Sequence, residues 1–325
     1  MNLTLTAEQQ LLADTVRSFV DRGADGDPWP TIIDAGWSGV LAPEEQDDTR
    51  GGMLELVLVC EQLGRGPVHS PIIVSGVLAG SAAVDGSTIG TLALLEAGMR
   101  DEWATVQMRG GSSISGTKIL VPWASVADVF VVATSDGLVV VEPDEDTVAI
   151  EPHQALGEEP LAAVVFDTAR AEPFDAELRQ VLDRVAIAQL AFTVGAAEGA
   201  LELSVQHAKD REQFGRPIGT FQAVAHRCAE MRAEVDACRY LAYQAAWFLD
   251  HRPDGAEIAV TAAKSYANGA IRRVFLHAHQ VHGAIGFSTE HALHRFTRCG
   301  KAFELMYGST ARHRDRLATA IGLSA

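Results

Sequence analysis

Nine residues in the second half of the chain read Arg211-Glu212-Gln213-Phe214-Gly215-Arg216-Pro217-Ile218-Gly219, and a Phe-Gln pair follows at 221–222. They lie between two long segments with helical apolar periodicity, 186–209 and 221–249. Two glycines and a proline are poorly suited to a helix interior, so the nine residues predict a turn between two helices. Such a turn displays a cation, an amide and an aromatic ring together, which suits an anionic, aromatic ligand.

Composition limits the class of protein. Of 325 residues, 47% are hydrophobic, and the mean hydropathy of +0.08 supports a large buried core in two or three domains. A net charge of −17 and a pI of about 5.0 disfavour nucleic acid or an anionic membrane as partner. Four cysteines without CxxC spacing are typical of reduced thiols and predict a cytoplasmic location. We see no signal peptide in 1–10 and no charge-free run of membrane-spanning length, so no membrane association is predicted.

The pattern of apolar residues changes twice along the chain. Residues 1–87 open with a capping box at Thr6-Ala7-Glu8-Gln9 and continue with apolar-periodic segments, one of them over 70–83, which predicts an N-terminal helical domain. Residues 88–175 consist of β-branched runs broken by turns, which predicts a small antiparallel β domain. Residues 176–325 predict a four-helix-type bundle. The fold class is therefore α+β, mainly α. The predicted bundle helices are 176–209, 221–249, 256–285, 289–298 and 301–323.

The run from Arg211 to Gln222 resembles the signature of the acyl-CoA dehydrogenase family, flavoproteins that form a 2,3 double bond in acyl-CoA thioesters. A second run is similar to the family's Gln-x-x-Gly-Gly-x-Gly-Phe-x-x-Glu segment and reads Gln280-Val281-His282-Gly283-Ala284-Ile285-Gly286-Phe287-Ser288-Thr289-Glu290. The resemblance is close over about the last 150 residues and covers the first 175 in outline. It implies the same order of domains, and FAD as the cofactor.

In the family, the flavin lies in the middle domain of one subunit while a neighbouring subunit clamps its adenine and pyrophosphate end. Arginine is a good ligand for pyrophosphate, and a phenylalanine ring can lie against the dinucleotide. In a lone Arg-x-x-Phe, the arginine is more often a surface charge and the phenylalanine a core residue. Gln222 and Gln280 fit a clamp or a structural amide equally. The resemblance places these residues on the clamp: Arg211, Gln213, Phe214, Gln222, Gln280 and Gly283.

The other half of the flavin site is not recognisable in the β domain. Where the family has Thr-Glu-Pro and Gly-Ser-Asp runs, near 92–102, this chain has Leu94-Leu95-Glu96-Ala97-Gly98. Where the family has a Trp-Ile-Thr-Asn type of run, Leu120 and Pro122 replace the aromatic and hydroxyl groups that face the flavin ring. Trp123 is expected to pack rather than to contact cofactor.

The catalytic base is missing from both of its family positions. One branch of the family carries it within Tyr-Glu-Gly-Thr, where this chain has Tyr307 instead of Glu. A phenol with a pKa near ~10 does not readily accept an α-proton at neutral pH. In the other branch, the Glu lies near the start of the first bundle helix. Counting back from Arg211 without gaps places Val185 at that position. Asp183 could substitute if the register slips, although it is more simply a helix N-terminal carboxylate favoured by the dipole. No catalytic residue is identified.

The remaining titratable residues predict no further site. His277 and His279 are two positions apart on a helix and face different sides, so no metal site is predicted. The basic run Arg312-His313-Arg314-Asp315-Arg316 is expected to form a solvated helix end, with contact to CoA phosphates as the alternative.

Compared with the family, this chain retains the residues that clamp the flavin of a neighbouring subunit. It lacks the β-domain residues that bind a flavin of its own, which we call the flavin shelf, and it lacks the catalytic base. The resemblance implies a non-base-bearing subunit, similar to those of the α2β2 acyl-CoA dehydrogenases of actinobacterial steroid catabolism. It would complete the FAD site of a longer homologous partner that carries the Glu. A bulky, sterol-derived acyl-CoA would be the substrate and an electron-transferring flavoprotein the acceptor. Two alternatives stay open: a self-sufficient homotetramer with a displaced base, and a non-catalytic CoA-ester-binding or scaffold protein.

Overall fold

The computed structural model describes residues 4–23, 26–42, 51–81, 84–99 and 108–323. Helices occupy the first part of these ranges, and α1 begins at the predicted capping box. The Gln9 amide donates to Thr6 Oγ1 at 3.2 Å, and the Thr6 amide donates to Gln9 Oε1 at 2.9 Å. A predicted helix over 70–83 is shorter in the structure, and its last two residues lie outside the described ranges. The helices are α1 (Ala7–Asp21), α2 (Trp29–Asp34), α3 (Met53–Arg65) and α4 (Ile72–Ala79).

Strands follow in two sheets that pack face to face. One has the order β1-β3-β4-β7 and the other β2-β6-β5. The rings of Phe130 and Phe166 meet edge to face between them, with centroids 6.0 Å apart. The strands are β1 (Gly90–Ala93), β2 (Ser113–Pro122), β3 (Val129–Thr134), β4 (Gly137–Val141), β5 (Val148–His153), β6 (Leu161–Arg170) and β7 (Glu172–Phe174).

One strand pair corrects the predicted antiparallel β domain. β1 and β3 run parallel, with Gly90 opposite Val129, whereas the other pairs in the described part of these two sheets are antiparallel. The chain leaves the first sheet after β1, forms β2 in the second sheet and then returns. Such a crossover brings β3 back in the same direction as β1, which a hairpin cannot do.

Long helices form the rest of the protein, so the α+β, mainly α, fold class is confirmed. The change from helices to strands falls between Ala79 and Gly90, and the change back falls between Phe174 and Leu178. The domain limits at 87 and 175 stay predictions. The elements are α5 (Leu178–Asp210), β8 (Glu212–Gln213), β9 (Arg216–Pro217), α6 (Gln222–His251), α7 (Pro253–His282), α8 (Leu293–Leu305) and α9 (Thr310–Ala320).

The last predicted helix, 301–323, is wrong as a single element. Residues 301–305 end α8, and the chain breaks before α9 begins at Thr310. Tyr307 and Gly308 have φ of 51° and 104°, which a right-handed helix does not allow. The Ser309 side chain then accepts a hydrogen bond from the Arg312 amide at 3.3 Å and caps α9.

α5 is the core helix of the bundle. An 18-residue window of α5 has a mean hydropathy of 1.2, so this helix is long and apolar enough to cross a membrane. However, 94% of that window is buried inside the protein. α5 also carries charged residues, among them Arg184 and Glu198, so it is not a charge-free run of membrane-spanning length. The apolar residues of α5 pack against α3, α6, α7 and α8, which accounts for its composition.

Candidate functional site

The predicted turn after α5 is a tight β-hairpin. Glu212 pairs with Pro217 and Gln213 with Arg216. The two residues at the tip, Phe214 and Gly215, have φ of 52° and 76°. Positive φ at both central positions is the pattern of a type I′ turn, whose twist matches that of paired strands. Glycine adopts this conformation freely, whereas a phenylalanine is strained there, and such strain concentrates at functional sites.

The tip of the hairpin presents an aromatic ring beside two arginines. The Phe214 side chain is 92% exposed and meets the Phe221 ring edge to face at 6.1 Å. The Arg216 guanidinium lies 4.2 Å from the centroid of the Phe221 ring, a cation–π contact. Within the described ranges, no group accepts a hydrogen bond from the exposed Arg211 guanidinium or forms an ion pair with it. Arg211 is therefore available to an anionic ligand.

The second motif lies beside the hairpin, where α5 and α7 end. The rings of His207 and His282 stack with centroids 4.6 Å apart, and His291 meets His282 edge to face at 4.7 Å. Desolvation lowers the pKa of His282 to about 4, so its ring is neutral at neutral pH and stacks without charge repulsion. Gly283 ends α7 with φ of 64°, a conformation that favours glycine. Both motifs therefore meet at one end of the bundle.

The chemistry of this end fits the adenine and pyrophosphate part of a dinucleotide. A guanidinium can donate two charge-assisted hydrogen bonds to a pyrophosphate, and an exposed ring can lie against the base. The residues face solvent rather than a deep cleft of this chain, so a ligand held there needs a second wall. The predicted clamp residues are all exposed: Arg211, Gln213, Phe214, Gln222, Gln280 and Gly283.

A second feature is a cavity of about 200 Å³ between the strands and the end of α8, which we call the inter-domain cavity. Leu120 and Pro122, which were predicted to face a flavin ring, line it from β2. Tyr307 lines it from the segment between α8 and α9. The two predicted positions are thus brought together, but the side chains that replace the family's polar groups make the walls mainly apolar.

Glu159, in the inter-domain cavity, was missed by the sequence analysis. It is 7% exposed, and Trp123 Nε1 donates to its Oε1 at 3.0 Å, so Trp123 both packs and donates. Its Oε2 is buried without a partner in the described part of the chain. Burial raises the pKa of Glu159 to about 7, against the lowering effect of the Trp123 bond. Glu158 precedes it but forms a bidentate pair with Arg295 at 2.8 and 2.7 Å, so only tertiary structure distinguishes the two carboxyls.

Asp183, the predicted substitute base, is occupied by an ion pair. It is 6% exposed, and Arg316 donates to its two oxygens at 2.9 and 3.0 Å. Arg316 also donates to Glu257 at 3.3 Å. These contacts tie α5, α7 and α9 together. Asp183 does not line the inter-domain cavity, and Val185 is a fully buried apolar residue.

The same ion pair corrects the predicted solvated helix end at 312–316. Arg316 is half-buried against Asp183 rather than free in solvent. His313 is 1% exposed, and its Nε2 lies 3.0 Å from the Tyr307 carbonyl oxygen. Desolvation lowers the pKa of His313 to about 3, so the ring is neutral. This part of the run packs α9 onto the bundle.

We expect Asp183→Asn to lower the free energy of unfolding by about 2 kcal/mol. Removing one partner of a buried ion pair costs roughly 3–5 kcal/mol, and the remaining contact of Arg316 with Glu257 reduces that cost. Urea denaturation measures the change, with Asp175→Asn, an exposed carboxylate, as the control. Unchanged stability together with lost acyl-CoA turnover would instead support Asp183 as the base.

Comparisons with known proteins extend the likeness to the whole chain. Residues 177–322 match the family model of the acyl-CoA dehydrogenase C-terminal domain. Acyl-CoA dehydrogenase IpdE2 of Mycobacterium tuberculosis (strain ATCC 25618 / H37Rv) is 30% identical over 316 residues, which cover 90% of this chain and 91% of that protein. A chain of the Tcur3481-Tcur3483 steroid ACAD matches with a TM-score of 0.88 at 28% identity, over 98% of this chain and 99% of that one. A chain of the ChsE4-ChsE5 complex from Mycobacterium tuberculosis matches with a TM-score of 0.85 at 28% identity, over the full length of both.

These matches cover the N-terminal helices and the β strands, where the sequence motifs are not recognisable, as well as the bundle that carries both motifs. The sequence match to IpdE2 likewise extends over nearly the whole of both chains. The chain therefore belongs to the acyl-CoA dehydrogenase family of oxidoreductases, which act on CH–CH bonds with FAD as cofactor.

Proposed function

We propose that this chain is the subunit without a base in a heteromeric acyl-CoA dehydrogenase. Its Arg211 hairpin would complete the FAD site of a longer homologous subunit that carries the catalytic Glu. The observation that carries the proposal is the exposed Arg211, which has no ion-pair partner within the described ranges, near the strained and exposed Phe214. Since no described residue accepts a hydrogen bond from this guanidinium, it suits a ligand that is bound mainly by a neighbour.

The residues at the two positions of the family's base also support a partner that supplies the catalytic Glu. Removal of an α-proton needs a titratable group close to the substrate. Val185 offers none, and burial raises the pKa of the Tyr307 phenol far above its ordinary value, which makes it a still poorer base. Bound FAD supplies the acceptor for the β-hydride. In this chain, Arg211 would hold the pyrophosphate, while Phe214 and the glutamines would flank the dinucleotide.

The similar solved structures support the identity of partner and substrate. One is described as a steroid ACAD and the other as a complex of two named components. We infer an α2β2 assembly, a bulky, sterol-derived acyl-CoA as substrate and an electron-transferring flavoprotein as acceptor. The cysteines are free, which supports a cytoplasmic location: Cys60, Cys228, Cys238 and Cys299.

The stoichiometry of the assembly tests the proposal. We would co-express the chain with a homologous subunit that carries the family's Glu and record native mass spectra. The proposal requires both chains in equal number and one FAD for each pair, because only the partner builds a flavin shelf. A homotetramer of this chain with one FAD per subunit would favour the self-sufficient enzyme. A complex without FAD would favour the scaffold.

A further inference from the structure

Strained backbone surrounds the inter-domain cavity. Leu120 and Tyr307, which line it, have φ of 55° and 51°, and Trp123, which bonds to Glu159, has φ of 56°. Non-glycine residues rarely adopt this left-handed conformation, and surrounding structure has to hold them in it. Such strain, gathered around one cavity, indicates a site that the fold maintains rather than a packing fault.

Contacts from α8 hold the walls of the cavity together. Arg295 forms its bidentate pair with Glu158, and Arg298 Nε donates to the Leu156 carbonyl oxygen at 2.8 Å. Leu156 and Gly157 line the cavity, as does Glu159. The loop that carries Glu159 is therefore fixed to the bundle on one side and continues into β6 on the other.

Two oxygen groups of residues that line the cavity have no hydrogen-bond partner among the residues that the structure describes. Glu159 Oε2 is buried without a hydrogen bond, and no group in the described ranges bonds to the Tyr307 hydroxyl. The titratable groups that interact with the charge of Glu159 are Tyr307 and Cys299, and burial raises the pKa of both, so both are neutral. Neither supplies a positive charge to hold Glu159 ionised. A protonated Glu159 and a neutral phenol are both hydrogen-bond donors.

The size of the cavity restricts its occupant. An engineered cavity of about 150 Å³ with apolar walls binds benzene, and the inter-domain cavity measures about 200 Å³. Pockets for drug-sized ligands measure roughly 300–1,000 Å³. A compound somewhat larger than benzene matches this volume.

We propose that the inter-domain cavity binds a small, neutral, apolar compound with a single carbonyl oxygen, to which Glu159 and Tyr307 donate hydrogen bonds. The apolar walls take the body of the compound. The carbonyl oxygen satisfies Glu159 Oε2, which is buried without a partner in the described ranges although buried polar groups are otherwise bonded, and it gives the Tyr307 hydroxyl an acceptor. This site is independent of the Arg211 hairpin and of the partner subunit.

Acetophenone and ethylbenzene are a matched pair of probes, because only acetophenone carries the carbonyl oxygen. We would measure their dissociation constants with the full-length chain at pH 6 and pH 8 by ligand-detected NMR. Because the apparent affinity scales with the competent fraction, a carboxyl that titrates at about 7 weakens acetophenone by up to about tenfold between these pH values. Ethylbenzene should bind equally at both.

Variants separate this result from a general effect of pH. Glu159→Gln keeps an N–H donor at every pH, so acetophenone should bind it equally at pH 6 and pH 8. Tyr307→Phe should weaken acetophenone several-fold and leave ethylbenzene unchanged. Glu151→Gln, which alters an exposed carboxyl outside the cavity, should keep the pH dependence of the wild type. The proposal is overturned if neither probe binds, if wild-type binding of acetophenone is independent of pH, or if Glu159→Gln retains the dependence.

Discussion

Arg211→Ala is expected to weaken FAD binding to the assembled complex by about 10- to 100-fold. A hydrogen bond to a charged group contributes roughly 1.5–3 kcal/mol, and the loss of the guanidinium leaves the pyrophosphate without it. The Arg211 guanidinium has no ion-pair partner within the described ranges, so the substitution should leave the fold intact. Flavin absorbance per mole of complex, measured after gel filtration, reports the loss.

Lys209→Ala is the matched control for this experiment. Lys209 is also an exposed cation in the last turn of α5, two residues before Arg211. A general effect of positive charge would appear in both variants, whereas a pyrophosphate contact would appear only at Arg211. Full flavin content in Arg211→Ala, or equal loss in the two variants, would contradict the proposed clamp.

Gly195→Ala is expected to destabilise the protein by more than about 3 kcal/mol. A Cβ atom at residue 195 would lie 1.9 Å from the Glu61 carbonyl oxygen, and one at Gly64 would lie 2.0 Å from the Phe192 carbonyl oxygen. The backbones of α3 and α5 therefore touch where these two glycines meet them. Overpacking usually costs about 1–3 kcal/mol, and here a backbone rather than a flexible side chain has to move.

A glycine on another helix provides the contrast. A Cβ atom at Gly269 in α7 would meet Arg273 Nη1 at an ordinary 3.6 Å. We expect Gly269→Ala to stabilise the protein by about 0.5–1 kcal/mol, since alanine is the better helix former. Urea denaturation of both variants measures the difference. Equal stability of Gly195→Ala and the wild type would mean that α3 and α5 are free to separate.

Local signals in the sequence predicted most of the fold. Apolar periodicity identified α5, α6 and α7 to within three residues at each end, because their buried faces repeat over many turns. The capping box predicted the start of α1. The break after Leu305 could not be predicted in this way, since it depends on a left-handed Tyr307 that only tertiary packing holds. The parallel pairing of β1 with β3 is also a non-local property.

The residues of the candidate site also fall into a group that the sequence predicted and a group that depends on tertiary contacts. The hairpin and the end of α7 carry motifs of consecutive residues, so their resemblance to the family was visible in the sequence. Glu159 was not visible, because its burial depends on α8, whose residues lie more than a hundred positions further along. The ion pair of Asp183 with Arg316 likewise joins residues 133 positions apart. Motifs of consecutive residues therefore predicted the proposed clamp, whereas only tertiary contacts reveal the buried carboxyls.

The visible absorbance spectrum tests the shared flavin site most directly. We would purify this chain alone, and again after co-expression with a homologous subunit that carries the Glu base. We expect colourless protein alone and stoichiometric FAD in the complex, because this chain would provide the clamp and its partner the shelf and base. Yellow protein that is obtained alone and is reduced by an acyl-CoA would contradict the proposal.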